Sequence, residues 1–256
     1  MAPFTVTAGE PWPLGTFAAL AAEPGLRHGV TTRAGPAFGR DGASAESAAA
    51  AAAAAAALDL EDVAWTQQVH GGTVLRVRDA GLAGEADGLV TDRPGLAVLG
   101  RGADCPLVLV AGRRPDGTAA VGFAHASWRS TVRGITATVL QRLREELGVD
   151  PATVTAGIAP SAGPCCYEVG PEVREEALDR LGTGAARFFA PVGEGWHLDL
   201  WSANLAQLTA AGVPAARVFG SGLCTICQGE RFWSWRVQRE RAGRFGALVG
   251  IDLAGV

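Results

Sequence analysis

Lysine is absent from this chain; all 22 of its basic residues are arginine. The bias fits a GC-rich coding sequence better than any physical requirement. Neither sign of charge is in large excess, since the formal net charge is −4. That near-balance excludes a general electrostatic pull on nucleic acid or on an anionic membrane. No apolar run approaches the roughly 20 residues that a membrane helix needs. Met1-Ala2-Pro3-Phe4 lacks the basic region and apolar stretch of a signal peptide. Cysteines number five, which is few and odd for 256 residues. A disulfide framework is thereby excluded, and reduced thiols in the cytoplasm are expected. Only four histidines are present, which argues against a true multicopper centre. A Gly-x-Gly-x-x-Gly loop is also missing, so a Rossmann fold is disfavoured.

What is present is enough apolar residue, 48%, to bury a large core. There is no internal repeat and no long linker, so residues 1–256 are expected to form a single catalytic domain. Residues 1–32 read as short strands and turns. Ala43 to Leu58 is nearly all alanine, which predicts a peripheral helix capped by Ser44 or Ser47. Short apolar pieces bounded by Gly, Asp or Pro follow: Val74–Val77, Leu89-Val90, Leu96–Leu99, Leu107–Val110 and Ala119–Phe123. Thr131 to Leu147 has a helical apolar period that stops at Gly148. Val154–Ile158 reads as a strand, and Glu172–Leu181 and Leu200–Ala211 as helices. Val218-Phe219 and Ala247–Ile251 are expected to close the sheet. The alternation predicts an α/β (α+β) fold, a mixed sheet flanked by helices.

The most informative segment runs from Ala103-Asp104-Cys105 to His125-Ala126-Ser127-Trp128-Arg129. Two apolar strands joined by Gly112-Arg113-Arg114-Pro115-Asp116-Gly117 imply an antiparallel hairpin. A ladder centred on Pro115 sets Cys105 opposite His125, Leu107 opposite Phe123 and Leu109 opposite Val121. Directly paired side chains lie roughly 4.5–5.5 Å apart at Cβ, so Cys105 and His125 could share a metal or form a thiolate–imidazole pair. His70 comes from a third segment, before Gly71-Gly72. Two histidines and a cysteine make a zinc set with one position open, and ligands scattered over three segments suit catalysis better than structure. On spacing alone, a buried small thiol and a hydrogen-bonded core histidine remain equally open readings.

Several blocks carry a family resemblance. Gln67-Gln68-Val69-His70-Gly71, Ala103-Asp104-Cys105-Pro106 and Ala124-His125-Ala126-Ser127-Trp128-Arg129 resemble signatures of the YfiH/YlmD family. So do Gly163-Pro164-Cys165-Cys166-Tyr167-Glu168-Val169-Gly170, Leu198-Asp199-Leu200-Trp201, Gly222-Leu223-Cys224-Thr225 and Gly243-Arg244. Members are variously called multicopper polyphenol oxidases, laccase-domain proteins or purine nucleoside phosphorylases. The resemblance implies a single-domain layered sandwich similar to the fold of certain cysteine deamidases. It implies zinc, with copper as the older assignment, on His70, Cys105 and His125. It implies phosphorolysis of adenosine, inosine, guanosine or methylthioadenosine, plus adenosine deamination. The chain departs from the family pattern in three places. Gly-Trp-Arg-Gly reads Ser127-Trp128-Arg129-Ser130, Phe-Ser-His-Arg-Arg reads Trp233-Ser234-Trp235-Arg236-Val237, and a Ser-Leu-Asn-Leu-Gly segment gives way to alanine.

That reading gives each candidate residue a role. Cys105 and His125 are catalytic through the metal, with Asp104 either a supporting acid–base group or a turn cap. Arg129, Arg33 and Arg236 are candidate phosphate ligands, since guanidinium binds phosphate in a bidentate fork. Gln68 either holds substrate or is a plain strand-end amide, and Trp128 either stacks on a base or packs. Cys165-Cys166 reads as a structural loop. Cys224-Thr225-Ile226-Cys227 is a weak zinc signal without a second pair. His28 and His197 are assigned to structure. The expected partners are a purine nucleoside and phosphate, with no nucleic acid or membrane, on a monomer. The alternatives are a copper polyphenol oxidase, a hydrolase with Cys105 as nucleophile and His125 as base, and an editing factor for peptidoglycan precursors.

Overall fold

Along the strand Phe245–Ile251, successive side chains leave on opposite faces. Phe245, Ala247, Val249 and Ile251 enter one apolar cluster, while Leu248 enters another. Burial on both sides explains a strand that is apolar almost throughout rather than alternating. The computed structural model, which describes residues 3–253, sets this strand in the middle of a seven-stranded mixed sheet. Its order is Phe4–Thr7, Leu14–Phe17, Leu26–Thr31, Phe245–Ile251, Leu96–Gly102, Asp62–Gln67 and Gly81–Glu85. A six-stranded sheet runs Val218–Gly220, Thr155–Ile158, Leu107–Arg113, Ala119–His125, Gly88–Thr91 and Val74–Arg76.

The two sheets face each other. Phe17, Val98 and Phe245 of the first pack in one cluster with Leu89, Leu107 and Phe123 of the second. Outside the first sheet lies the helix Ala45–Ala56, whose Ala51 and Ala54 pack with Trp65, Leu99 and Leu248. Outside the second lie Ile135–Leu147 and Leu200–Ala210, with Val139, Leu143 and Leu208 against Val108 and Val110. The result is the mixed α/β class expected, arranged as helix, sheet, sheet, helices. No described helix is long and apolar enough to cross a membrane.

Several expectations are corrected in detail. Val218 and Ala247 do not close one sheet: the first sits at an edge of the second sheet and the other in the middle of the first. The helix read over Thr131–Leu147 is two, Trp128–Val132 and Ile135–Leu147. Gly134 separates them at φ +76°, a left-handed turn that glycine takes without a Cβ clash. A third sheet of Glu168–Val169, Gly195–Leu198 and Phe189–Val192 escaped the sequence reading because its strands have at most four residues. The alanine helix begins one residue after Ser44, whose side chain accepts from the Ser47 N–H.

The hairpin is present, but its ladder pairs His125 with Leu107 and Phe123 with Leu109. Its turn spans Arg114 to Thr118, where the Arg114 N–H donates to the Thr118 carbonyl, so it is centred one residue later than Pro115. Cys105 therefore precedes the strand and stands diagonal to His125, not opposite. A one-residue displacement of the turn moves each partner by two positions, so the facing side is unchanged.

His28 is buried in the first sheet, where its Nε2 accepts from the Phe17 N–H at 2.8 Å. Burial pulls its pKa down to about 4, against an ordinary value near 6.5. The folded chain keeps this imidazole neutral where the unfolded chain would protonate it. Stability is thus unaffected above pH 7 and falls between about pH 6.5 and 4, by about 3 kcal/mol in total. Denaturant unfolding at pH 7 and pH 4.5 is expected to show a smaller acid loss in His28→Gln than in the wild type. Equal losses would refute the assignment.

Candidate metal centre

His125 ends the central hairpin, and its imidazole is buried. Nδ1 meets Asp87 Oδ1 at 2.7 Å, which leaves Nε2 as the free ring nitrogen. Asp87 is fully buried at the start of the neighbouring strand. Its carboxylate also accepts from the N–H groups of Val69, His70 and Gly71, at 3.3, 3.0 and 2.6 Å. Burial pushes the Asp87 pKa up, but the His125 bond and these amides outweigh it, and the carboxyl stays ionised. One carboxylate thus orients one histidine by its ring and the other by its backbone.

His70 sits at φ +59° and Asp104 at +88°, so two of the four non-glycine residues with positive φ among the described residues belong to this site. Such backbone strain collects where surrounding contacts over-determine it. The rings of His70 and His125 lie 4.9 Å apart at 78°. With Cys105 Sγ, their ligand atoms all fall within 4.8 Å of one another. Burial pushes the Cys105 thiol up, but His125 and His70 overcome it and hold the pKa at about 6. The Cys105 charge and Asp87 in turn raise His125 against its own burial. Without a metal, the pair is therefore thiolate and imidazolium. Two nitrogens, one sulfur and a carboxylate behind one imidazole fit a zinc ion.

Beside these donors opens a cavity of about 530 Å³. Five arginines line it: Arg40, Arg101, Arg129, Arg236 and Arg244. Only Arg40 makes an ion pair among the described residues, with Glu240. Arg101 is 4% exposed and spends its guanidinium on the carbonyls of Gly39 and Thr66. Burial, then the neighbouring Arg244, lowers its pKa to about 10, which still leaves it charged at neutral pH. Trp235 carries the guanidinium of Arg40 at 4.5 Å and of Arg244 at 5.6 Å.

The other expected residues fall in distinct places. Arg129 lies exposed at the rim and stacks on Trp128 at 4.4 Å. Arg236 covers the Tyr167 ring at 4.9 Å. Arg33 does not line this cavity; it donates to the Gly229 carbonyl and stacks on Trp233. Gln68 lines the cavity and bonds the backbone of Arg101 with both ends of its amide, so it pins a strand. Asp104 accepts from Thr225 Oγ1 and from the Arg236 N–H, both at 2.7 Å. That makes it an anchor for two distant loops. Asp87, Arg40, Arg101 and Tyr167 were missed as site residues. Arg101 carried a readable signal, a charge inside an apolar strand.

A sequence profile described as multi-copper polyphenol oxidoreductase laccase matches residues 31–252. The chain belongs to that family. A relative named purine nucleoside phosphorylase, from Xylella fastidiosa, is 38% identical over 195 residues, 73% of this chain and 71% of that protein. A protein named adenosine deaminase RL5, from an unknown prokaryotic organism, is 34% identical over 203 residues, covering 73% and 74%. The crystal structure of Bacillus licheniformis YfiH superposes with a TM-score of 0.84 at 27% identity, covering 98% of this chain and 100% of that one. Ser127 and Ser130 make a local cap. Ser127 Oγ accepts from the Ser130 N–H at 3.1 Å and lies 2.8 Å from Ser130 Oγ. Ser127 sits at φ −54°, so a side chain costs nothing there.

Proposed function

We propose that this laccase-family chain is a zinc-dependent purine nucleoside phosphorylase that also deaminates adenosine, with residues 1–256 as one catalytic unit. The observation that carries this reading is one cavity with metal donors on one wall and arginines on the others. Its volume suits a nucleoside with phosphate. His70, Cys105 and His125 would hold the zinc. When bound, zinc supplies a Lewis acid and lowers the pKa of a water. The arginines supply the second requirement, an anion site. Phosphorolysis joins a phosphate oxygen to the ribose C1′ while the glycosidic bond breaks and its electron pair leaves with the purine. Arg129 and Arg236, in no ion pair, can take phosphate in a fork. Asp104, already accepting at both oxygens, acts by positioning Arg236. Adenosine, inosine, guanosine and methylthioadenosine remain the candidate substrates.

Adenosine with phosphate is expected to give adenine and ribose 1-phosphate, and adenosine alone to give inosine slowly. Arg129→Ala should lower phosphorolysis roughly ten- to hundredfold, the loss of one charge-assisted phosphate contact, and spare deamination. Chromatography of both products, with and without phosphate, checks this. Joint loss of both reactions would assign Arg129 to the fold, and neither reaction in the wild type would end the nucleoside reading. The Cys105–His125 ion pair, oriented by Asp87, also favours a second reading, a cysteine hydrolase. Protein purified without added copper or chelator separates the readings: zinc that is lost in Cys105→Ala supports the first, copper the oxidase, and no metal dependent on Cys105 the hydrolase.

A further inference from the structure

Two loops that are distant in sequence are stitched together at the far end of the cavity wall. The first is the turn Gly163-Pro164-Cys165-Cys166, closed by the Cys166 and Tyr167 N–H groups on the Gly163 carbonyl. The second is the turn Cys224–Cys227, closed by the Gln228 N–H on the Cys224 carbonyl. Ser161 and Cys224 form a parallel bridge, with the Thr225 N–H on the Ser161 carbonyl. The stitching brings four thiols to one point: the sulfurs of Cys165, Cys166, Cys224 and Cys227 all lie within 4.8 Å of one another. Cys227 Sγ lies 3.8 Å from Cys165 Sγ and 3.4 Å from Cys166 Sγ. No histidine or carboxylate belongs to the group.

We infer that these four cysteines bind a second, structural zinc ion. Zinc–sulfur bonds near 2.3 Å put tetrahedral sulfurs roughly 3.8 Å apart, and the sulfurs here, two pairs at 3.4 and 3.8 Å and all within 4.8 Å, can close on one ion. Donor chemistry agrees, because four thiolates make a closed set with no place for substrate. The backbone agrees as well. Gly163 N–H donates to Cys224 Sγ at 3.2 Å. An amide donor on a sulfur stabilises a thiolate, the form a metal requires. The Cys224-x-x-Cys227 pair thus has its partner pair, in the adjacent cysteines 165 and 166 rather than in a second Cys-x-x-Cys.

The position gives this ion a task. Thr225, inside the second turn, donates to Asp104, and Tyr167, directly after the first, lines the cavity beneath Arg236. Zinc there would lock the part of the wall that carries Asp104 and Tyr167 without touching substrate. Elemental analysis of protein purified in reductant without chelator is expected to give two zincs per chain. Cys105→Ala and Cys227→Ser should each retain one, and Cys227→Ser should melt at lower temperature. Should Cys227→Ser fail to fold, cobalt-loaded Cys105→Ala is the second measurement. Its thiolate-to-cobalt absorption should be several-fold stronger than that of a single thiolate. A wild type with one zinc, all of it lost in Cys105→Ala, would overturn the inference. So would an intact mass lower by two hydrogens without reductant, which marks a disulfide among these thiols.

Discussion

Cys105→Ala is expected to empty the main centre and to abolish turnover, by at least about a thousandfold, or ~4 kcal/mol of transition-state stabilisation. The sulfur is the one anionic donor of the three, and it sits between two imidazoles that pull its proton away. Removing it leaves two neutral nitrogens, a set with far weaker hold on zinc. The substitution should still fold, since alanine follows a turn and precedes Pro106 without disturbing the backbone, although His125 and His70 lose the thiolate as a partner. Circular dichroism establishes the fold, elemental analysis the metal and chromatography the turnover. Full activity in a folded, metal-depleted variant would remove zinc from the mechanism. The same substitution also separates metal from nucleophile: serine in place of Cys105, supplied with excess zinc, should recover part of the metal but little activity.

Asp87→Ala is expected to be the most damaging change to stability, by about 3–5 kcal/mol. The carboxylate is fully buried and satisfies three backbone N–H groups and one imidazole. Alanine would strand the buried His125 imidazole and leave the three loop N–H groups without their acceptor. Asp87→Asn is the informative companion. It fills the space but offers an amide that cannot accept from every side, so it should fold with moderate loss and bind zinc roughly 10- to 100-fold more weakly. Chemical denaturation measures the first effect, and competition with a chelator the second. An alanine variant as stable as the wild type would mean that the 69–71 loop and His125 are held by something else.

The layers and the candidate metal ligands leave periodic or chemical marks in the sequence. Leu107–Arg113 and Ala119–His125 are apolar throughout, and the hairpin between them was readable from its turn. Its register was misread by two residues because the turn sequence contains both a proline and an Asp-Gly pair, and the chain turns on the latter. Alternation by two preserved the useful part, that Cys105 and His125 share a side. Asp87 left no mark: an acid before a short strand looks like any turn residue until three amides converge on it. Arg33 looked as basic as Arg236, but its carbonyl at Gly229 and its ring at Trp233 lie elsewhere. The four-cysteine cluster was illegible for a topological reason. Its halves meet only because the strands Thr155–Ile158 and Val218–Gly220 run parallel and deliver both loops to the same edge.

The strand Phe245–Ile251 joins two groups of strands that pair with it from opposite sides, Leu26–Thr31 and Leu96–Gly102. Both groups are synthesised long before it. During translation, the first sheet therefore exists as two unjoined halves with a gap between them, and each half presents an open edge to solvent. Closure waits for the arrival of this strand, which follows every other strand of its sheet in the sequence. A ribosome stalled before Phe245 would hold a nascent chain whose two raw edges can pair with those of its neighbours. A chain cut before Phe245 is therefore expected to aggregate, whereas one that carries this strand has the seam sealed.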